Sequence, residues 1–190
     1  MTKKFLSLRD VVLCALFAAV LCTVSPFTLP IGPVPLSLCN FAVMMAGCTL
    51  GYVRGAVSVA VFVAIGALGL PVFAGGMGGL GHILSPTGGF ILSYIPSAAV
   101  AGTLASLGRG RKNRLFFTLT GCFLSVVLGY IIGAVWYSFA ANVPFSRELF
   151  SACVIPFLPF DAAKCVGAAL LSRLLCDRLK IKSPPKTSKV

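Results

Sequence analysis

An acidic and a basic side chain stand three residues apart near the end of the chain, at Asp161 and Lys164. If a helix begins near Pro159, this spacing places both side chains on one helix face. Ionisable residues in an apolar stretch are functional candidates, because burying them is costly. A carboxylate and an ammonium group can together accept and donate charge-assisted hydrogen bonds. We therefore favour a ligand site over a pair whose members only neutralise each other.

Two irregular segments are expected on the same side of the protein as this pair. Residues 26–35 include four prolines, which fix φ and remove backbone donors, so an extended or re-entrant loop is predicted. Residues 70–89 include seven glycines and no charged side chain. Apolar side chains favour a lid docked on the protein over a flexible connector at 70–89. These are Phe73, Leu80, Ile83 and Leu84.

An intramembrane enzyme is the alternative of a different class. Asp161 and His82, with Ser85 or Thr87, would be its hydrolytic residues. The sequence has neither a G-x-S-x-G elbow nor an H-E-x-x-H zinc motif. It also has no Walker A motif, so any ATP hydrolysis must come from another subunit. We predict that the chain is not an enzyme.

The eight cysteines form no C-x-x-C pair and no metal-like spacing with the single histidine. Most fall within apolar stretches, where a free thiol behaves as a small packing residue. No cofactor, metal site or disulfide is predicted.

Composition indicates an integral membrane protein. The chain is 58% hydrophobic and 11% charged, whereas soluble domains carry about 25% charged residues. Residues 11–53, 55–108 and 115–146 contain no Asp, Glu, Lys or Arg. Each stretch is longer than the roughly 20 residues that one helix needs to span a bilayer. Lipid leaves backbone groups to be paired internally, so the spans should be helices.

The predicted fold is all-α, with about six transmembrane helices in one membrane domain, residues 1–182. Its first outer loop is rich in proline and its third outer loop in glycine. A short outer loop with Arg147 and Glu148 precedes the last helix. Residues 183–190 are predicted to be a disordered cytoplasmic tail. The helices are expected at 11–24, 36–53, 56–70, 90–107, 116–139 and 159–180.

The formal net charge of +12 follows the positive-inside rule. All 16 basic residues except Arg147 and Lys164 fall in segments that would face the cytoplasm together. In this topology Arg54 marks a tight inner turn flanked by Gly51 and Gly55. No aromatic residues alternate with the basic clusters as a nucleic-acid groove requires, so nucleic acid is not an expected partner.

Small residues recur four positions apart, a spacing that lets helices approach closely in a bilayer. The pairs are Ala15 with Ala19, Gly47 with Gly51, Ala98 with Gly102 and Gly129 with Gly133.

Three motifs resemble those of the BioY family, the biotin-binding S components of energy-coupling factor (ECF) transporters. The resemblance spans about residues 15–180. It is carried by 32–38 (GPVPLSL), by 69–76 (GLPVFAGG) with 86–89 (PTGG), and by 156–159 (PFLP) with Asp161 and Lys164.

The resemblance implies six helices and an outward-facing site that holds biotin without hydrolysing it. Asp161 would accept a hydrogen bond from the ureido N–H, and Lys164 would orient that group or donate to its carbonyl. Apolar walls would come from Phe73, Phe90 and Phe157.

Five further residues are implied at the site. Backbone N–H groups of the glycine-rich loop are the expected partners of the biotin carboxylate. Many family members have Gln at Cys39, Gly at Ser85, Tyr at Phe90 and Gly at Phe160, so polar contacts would either weaken or shift to Asn40 and His82. The five residues are Asn40, Gly75, Gly76, His82 and Thr87.

The resemblance also implies partners. Ala15 and Ala19 would meet a transmembrane coupling subunit, and two ATPase subunits would supply energy. The location would be the bacterial cytoplasmic membrane, with both termini in the cytoplasm. An S component for another vitamin and a purely structural membrane subunit remain alternatives, because one fold serves several functions.

Overall fold

A computed structural model describes residues 7–29, 36–144 and 155–178 of the chain. Within these ranges the protein is mainly helical. It has six longer α-helices and one of five residues, α4 (Leu80–Leu84). The only strands described are two residues each, β1 (Thr28–Leu29) and β2 (Leu36–Ser37), paired antiparallel. The longer helices are α1 (Leu8–Val24), α2 (Cys39–Leu50), α3 (Tyr52–Ala67), α5 (Gly88–Gly108), α6 (Arg114–Ala140) and α7 (Leu158–Arg178).

Two of these helices, α5 and α6, are long and apolar enough to cross a membrane, while α2 and α3 are shorter apolar helices. The predicted tail, the outer loop with Arg147 and Glu148, and most of the proline-rich segment lie outside the described residues.

Helix α1 begins with a capping box. Ser7 Oγ accepts a hydrogen bond from Asp10 N at 3.3 Å, and Asp10 Oδ2 accepts one from Ser7 N at 3.2 Å. Both interactions pair donors that a helix N-terminus leaves without partners. The helix therefore begins at Leu8, three residues before the predicted bound.

The turn between α2 and α3 lies at Gly51, one of the two glycines predicted to flank it, whereas the prediction that Arg54 lies in the turn is wrong. Gly51 has φ of 89°, which favours glycine, and its N–H donates to Gly47 O at 2.8 Å. Arg54 lies in the first turn of α3 and pairs with Asp10 at 3.0 Å.

Glycines let α2 and α5 approach until their backbones touch. A Cβ on Gly47 would collide with the Ala98 carbonyl oxygen, and one on Gly102 would lie 2.6 Å from Gly51 C. The two small-residue pairs of these helices therefore face each other, an arrangement that lipid-embedded helices favour.

Helices α5 and α6 also pack closely and share polar contacts. Ser97 Oγ donates to Ser125 O at 3.0 Å, which satisfies a buried hydroxyl across the helix pair. Near the other end of α5, Gly133 makes room for the Phe90 ring and Gly89 for the Trp136 side chain.

The glycine-rich segment is folded against the helices, although only part of its apolar surface is buried. Gly79 N donates to Gly66 O at 2.7 Å, and Gly75 N donates to Pro26 O at 3.2 Å. Phe73 and Ile83 are buried, as expected for a docked segment. Leu80 and Leu84 are 65% and 67% exposed, so their predicted docking is wrong. They lie on the outer side of α4, facing away from the core.

Candidate functional site

Asp161 lies in the first turn of α7 and is 6% exposed. An acidic residue suits this position, because the helix dipole places partial positive charge at the N-terminus. Its two carboxylate oxygens have separate partners. Oδ1 accepts from Lys164 Nζ at 3.0 Å, and Oδ2 accepts from Tyr130 Oη at 2.5 Å. The carboxylate is therefore held between α6 and α7.

Lys164 lies one turn along α7, and only 10% of its side chain is exposed. Besides Asp161, its Nζ donates to the Ser37 carbonyl oxygen of β2 at 2.9 Å. An ammonium group has three donors, and two of them are used in these bonds among the described residues. Asp161 and Lys164 thus form the buried pair that their spacing predicted, and the pair reaches beyond α7.

The short hairpin links this pair to the loops. Ser37 Oγ accepts from Cys39 N at 2.9 Å at the start of α2, and donates to Ser25 O at 3.4 Å. Pro26, next in the chain, accepts from Gly75 N of the glycine-rich segment. Hydrogen bonds at Ser37 and at Pro26, joined by the Ser25–Pro26 peptide bond, therefore link Lys164 to that segment.

Gly75 and Gly76 form the turn Ala74–Gly76, with φ of 68° and 73°. Among the described residues, and apart from the chain neighbours of each glycine, no heavy atom lies within 4 Å of the position where a Cβ would stand on either one. The turn is exposed and has free space beside its backbone. A ligand group can approach such a backbone closely.

Phe73 and His82 contact each other. Phe73 is 1% exposed, packs edge-to-face on Phe62 at 5.7 Å, and stacks on the His82 ring at 5.7 Å and 22°. Burial lowers the pKa of the His82 imidazole below its ordinary value. Phe73 therefore anchors the glycine-rich segment in the core, and neutral His82 covers its outer face.

The other predicted site residues occupy different surroundings. Asn40 is half-buried in the first turn of α2. Thr87 precedes α5, and its Oγ1 lies 3.1 Å from Ser85 Oγ. Phe90 packs on Gly133, and Phe157 is buried just before α7.

Ala15 and Ala19 lie on an exposed face of α1, apart from the buried pair. Leu8, Val11, Val12 and Leu16 are exposed on the same helix, at 82%, 50%, 58% and 54%. This face combines small residues with apolar ones and is open to a second helix or to lipid.

Tyr130 was not predicted, although its hydroxyl makes the shortest contact to Asp161. The residue stands in the middle of α6, within an apolar run. A buried tyrosine hydroxyl requires a hydrogen-bond partner, and this requirement was the available signal. Its register relative to Asp161 depends on how α6 packs against α7.

The bundle has two apolar helices of bilayer length and a buried, hydrogen-bonded charge pair, which together are typical of an integral membrane protein. The BioY family model matches residues 1–181. The chain belongs to the BioY family.

Curated relatives agree over most of the chain. The probable biotin transporter BioY of Pyrococcus horikoshii is 39% identical over 167 residues, covering 88% of this chain and 96% of that protein. The biotin transporter BioY of Rhizobium etli is 36% identical over 176 residues, covering 88% and 93%. The family consists of membrane transporter components, so the predictions of a membrane protein and of no enzyme activity are confirmed.

Two solved structures share the fold. The crystal structure of the S component for biotin from an ECF-type ABC transporter has a TM-score of 0.78 and 29% identity, covering 96% of this chain and 95% of that one. The S component of a bacterial ECF transporter has a TM-score of 0.56 at 16% identity, which bears on the fold alone.

Proposed function

We propose that this protein is the biotin-binding S component of a vitamin importer, which captures biotin outside the cell and delivers it to the cytoplasm. The observation that carries the proposal is the buried Asp161 carboxylate, held by Lys164 and Tyr130 in a BioY family member. Both relatives described above are named as biotin transporters.

The ureido group of biotin matches the polar groups at this position. It presents two N–H donors and one carbonyl acceptor on a planar ring. Asp161 can accept from a ureido N–H, and the remaining Lys164 donor can reach the carbonyl. Charge-assisted hydrogen bonds of this kind are about twice as strong as neutral ones. Because both Asp161 and Lys164 would bond to the ureido group, neither charge would be left without a partner at a buried site.

The rest of the biotin molecule would contact the glycine-rich segment and the apolar side chains. The Gly75 and Gly76 backbone is the proposed partner of the carboxylate, and its N–H groups would exchange their present bonds to Pro26 O and Phe73 O for the ligand. Phe90, Phe157 and the half-buried Asn40 are the proposed side-chain contacts of the ring and chain. Phe73 and His82 would act by holding the lid in place.

The proposed topology has six membrane-spanning helices and both termini in the cytoplasm. The basic residues Arg109, Arg111 and Lys112 lie between α5 and α6, and Arg114 is the first residue of α6. Tyr130 is 16 residues further along, about 24 Å at 1.5 Å per residue. The positive-inside rule puts the basic end in the cytoplasm and the charge pair outside. Transport would use a transmembrane coupling subunit, meeting Ala15 and Ala19, and two ATPase subunits.

Equilibrium binding of radiolabelled biotin to the purified chain tests the proposal. Asp161→Ala and Lys164→Ala should each weaken binding by about 2 kcal/mol or more, roughly 30-fold, because each leaves a buried group unpaired. Arg114→Ala, which removes an ion pair at the other end of α7, is the matched control and should bind normally.

Competitors test which part of biotin is recognised. Desthiobiotin keeps the ureido ring and should compete, whereas lipoate keeps a sulfur ring and pentanoate chain without the ureido group and should not. Competition by lipoate alone would assign the site to another ligand. Absence of biotin binding by folded wild-type protein would refute the proposal.

A further inference from the structure

A column of sulfur atoms continues from the candidate site toward the basic end of the bundle. Met44 and Cys48 lie one turn apart on the same face of α2. Met44 Sδ contacts Cys165 Sγ of α7 at 3.7 Å, and Cys165 directly follows Lys164 in the chain. Cys48 Sγ contacts Cys122 Sγ of α6 at 3.6 Å.

The contact between Cys48 and Cys122 joins helices that are distant in sequence. The two residues are 2% and 0% exposed. Among the seven cysteines that the structure describes, this pair brings two thiols into hydrogen-bond contact. Covalent bonding would require a further approach of the sulfur atoms of about 1.5 Å.

We propose that Cys48 and Cys122 are a redox-modifiable thiol pair, which a neutral, membrane-permeant disulfide converts into an intramolecular disulfide between α2 and α6. The effect of this disulfide on ligand binding rests on the proposed function, whereas the formation of the disulfide is independent of it.

The bond would alter the candidate site through packed side chains. Drawing Cys48 toward α6 moves the face of α2 that carries Met44, and Met44 contacts Cys165 beside Lys164. Tyr130, which holds Asp161, lies on α6 two turns beyond Cys122. Close-packed interiors transmit such shifts because they contain few voids. Both helices that hold the charge pair are thus coupled to the thiol pair.

The chemistry is ordinary thiol–disulfide exchange. One cysteine, as the thiolate, attacks a sulfur of the reagent and releases one reagent thiolate with the bonding electron pair. The second cysteine attacks the resulting mixed disulfide at the protein sulfur and releases the second reagent thiolate. The two cysteine protons end on the two released thiols. The protein loses two electrons, and the reagent disulfide gains them.

The test treats the purified full chain with 2,2′-dithiodipyridine, alkylates the remaining thiols in denaturant and maps the peptides by mass spectrometry. Wild-type protein should yield a peptide in which Cys48 is joined to Cys122, with two fewer alkylated cysteines than the eight of the untreated chain. Cys48→Ser and Cys122→Ser should abolish this peptide. Cys14→Ser, which changes a buried thiol that contacts the Arg54 carbonyl, should retain it.

The affinity for biotin is measured on the reduced, linked and re-reduced protein. Linking should weaken binding by about fivefold, a typical coupling between neighbouring residues, and reduction should restore it. The biotin affinity of the Cys122→Ser protein should not change on treatment with the reagent.

Three results would overturn the proposal. These are mixed disulfides without a link, a link from Cys48 to Cys176 instead, and unchanged affinity in fully linked protein. If reduced wild-type protein binds no biotin, the proposed function fails, while the peptide map still decides whether the thiol pair reacts.

Discussion

The two ends of α7 carry ion pairs of the same chemistry in different environments. Asp161 and Lys164, at the first turn, have side chains 8% and 10% exposed. Asp177 and Arg114, at the last turn, lie 2.9 Å apart with side chains 61% and 22% exposed. The buried pair has additional partners in Tyr130 and the Ser37 carbonyl. A charge pair removed from water needs such partners, whereas water supplies them at the surface.

The difference indicates which pair is built for a task. Apolar side chains could hold α6 and α7 together without the desolvation penalty that buried charges carry. The buried pair of Asp161 and Lys164 instead keeps donors and acceptors in a fixed arrangement between three elements. The exposed pair of Asp177 and Arg114 also joins α6 to α7 and needs no such arrangement.

Breaking the buried pair should have the largest effect on stability. Asp161→Ala or Lys164→Ala is expected to lower the free energy of unfolding by about 3–5 kcal/mol, because each leaves one uncompensated buried charge. Denaturation in mild detergent measures the change. The double variant should lose less than the sum of the single losses. Additive losses would mean that the two side chains do not interact.

Tyr130→Phe should come next, since it removes one hydrogen bond to a carboxylate and leaves the ring in place. We expect a loss of about 1.5–3 kcal/mol in the free energy of unfolding. Tyr137→Phe, two turns further along α6, is the matched control and should change little. Equal effects of the two substitutions would contradict a specific role for the Tyr130 hydroxyl.

The pair of Asp10 and Arg54, between α1 and α3, has intermediate exposure, with side chains 13% and 28% exposed. Arg54→Ala should lower the free energy of unfolding by about 1 kcal/mol, the upper end of the range for exposed ion pairs. Added salt should reduce the difference from the wild type, because exposed charges are screened. A loss as large as that of Lys164→Ala would place this pair in the buried class.

Arg114→Ala should have the smallest effect. Its partner Asp177 is mostly exposed, so the unfolding temperature should remain within the error of the wild-type value at low and at high salt. A clear fall in unfolding temperature would show that the exposed pair contributes more than its environment predicts.

Much of the fold and the centre of the site could be predicted from local patterns. Long apolar runs require helices in lipid, and the three-residue spacing of Asp161 and Lys164 places them together on any helix. The hydrogen bond from Tyr130 could not be predicted, because residues 31 positions apart meet only through the packing of α6 on α7. The contact of Lys164 with Ser37, across 127 positions, depends likewise on where the hairpin lies.

The errors and omissions have the same origin. Leu80 and Leu84 are apolar, as expected of a docked segment, yet both are exposed while Ile83 of the same short helix is buried. Gly47 and Gly102 were recognisable as small residues at helical spacing, but their mutual contact required the register of α2 on α5. Hydrophobicity and short-range spacing act within one segment, so the chain alone reveals helices and local pairs. Contacts between segments depend on the shape of both surfaces, and these exist only in the folded bundle.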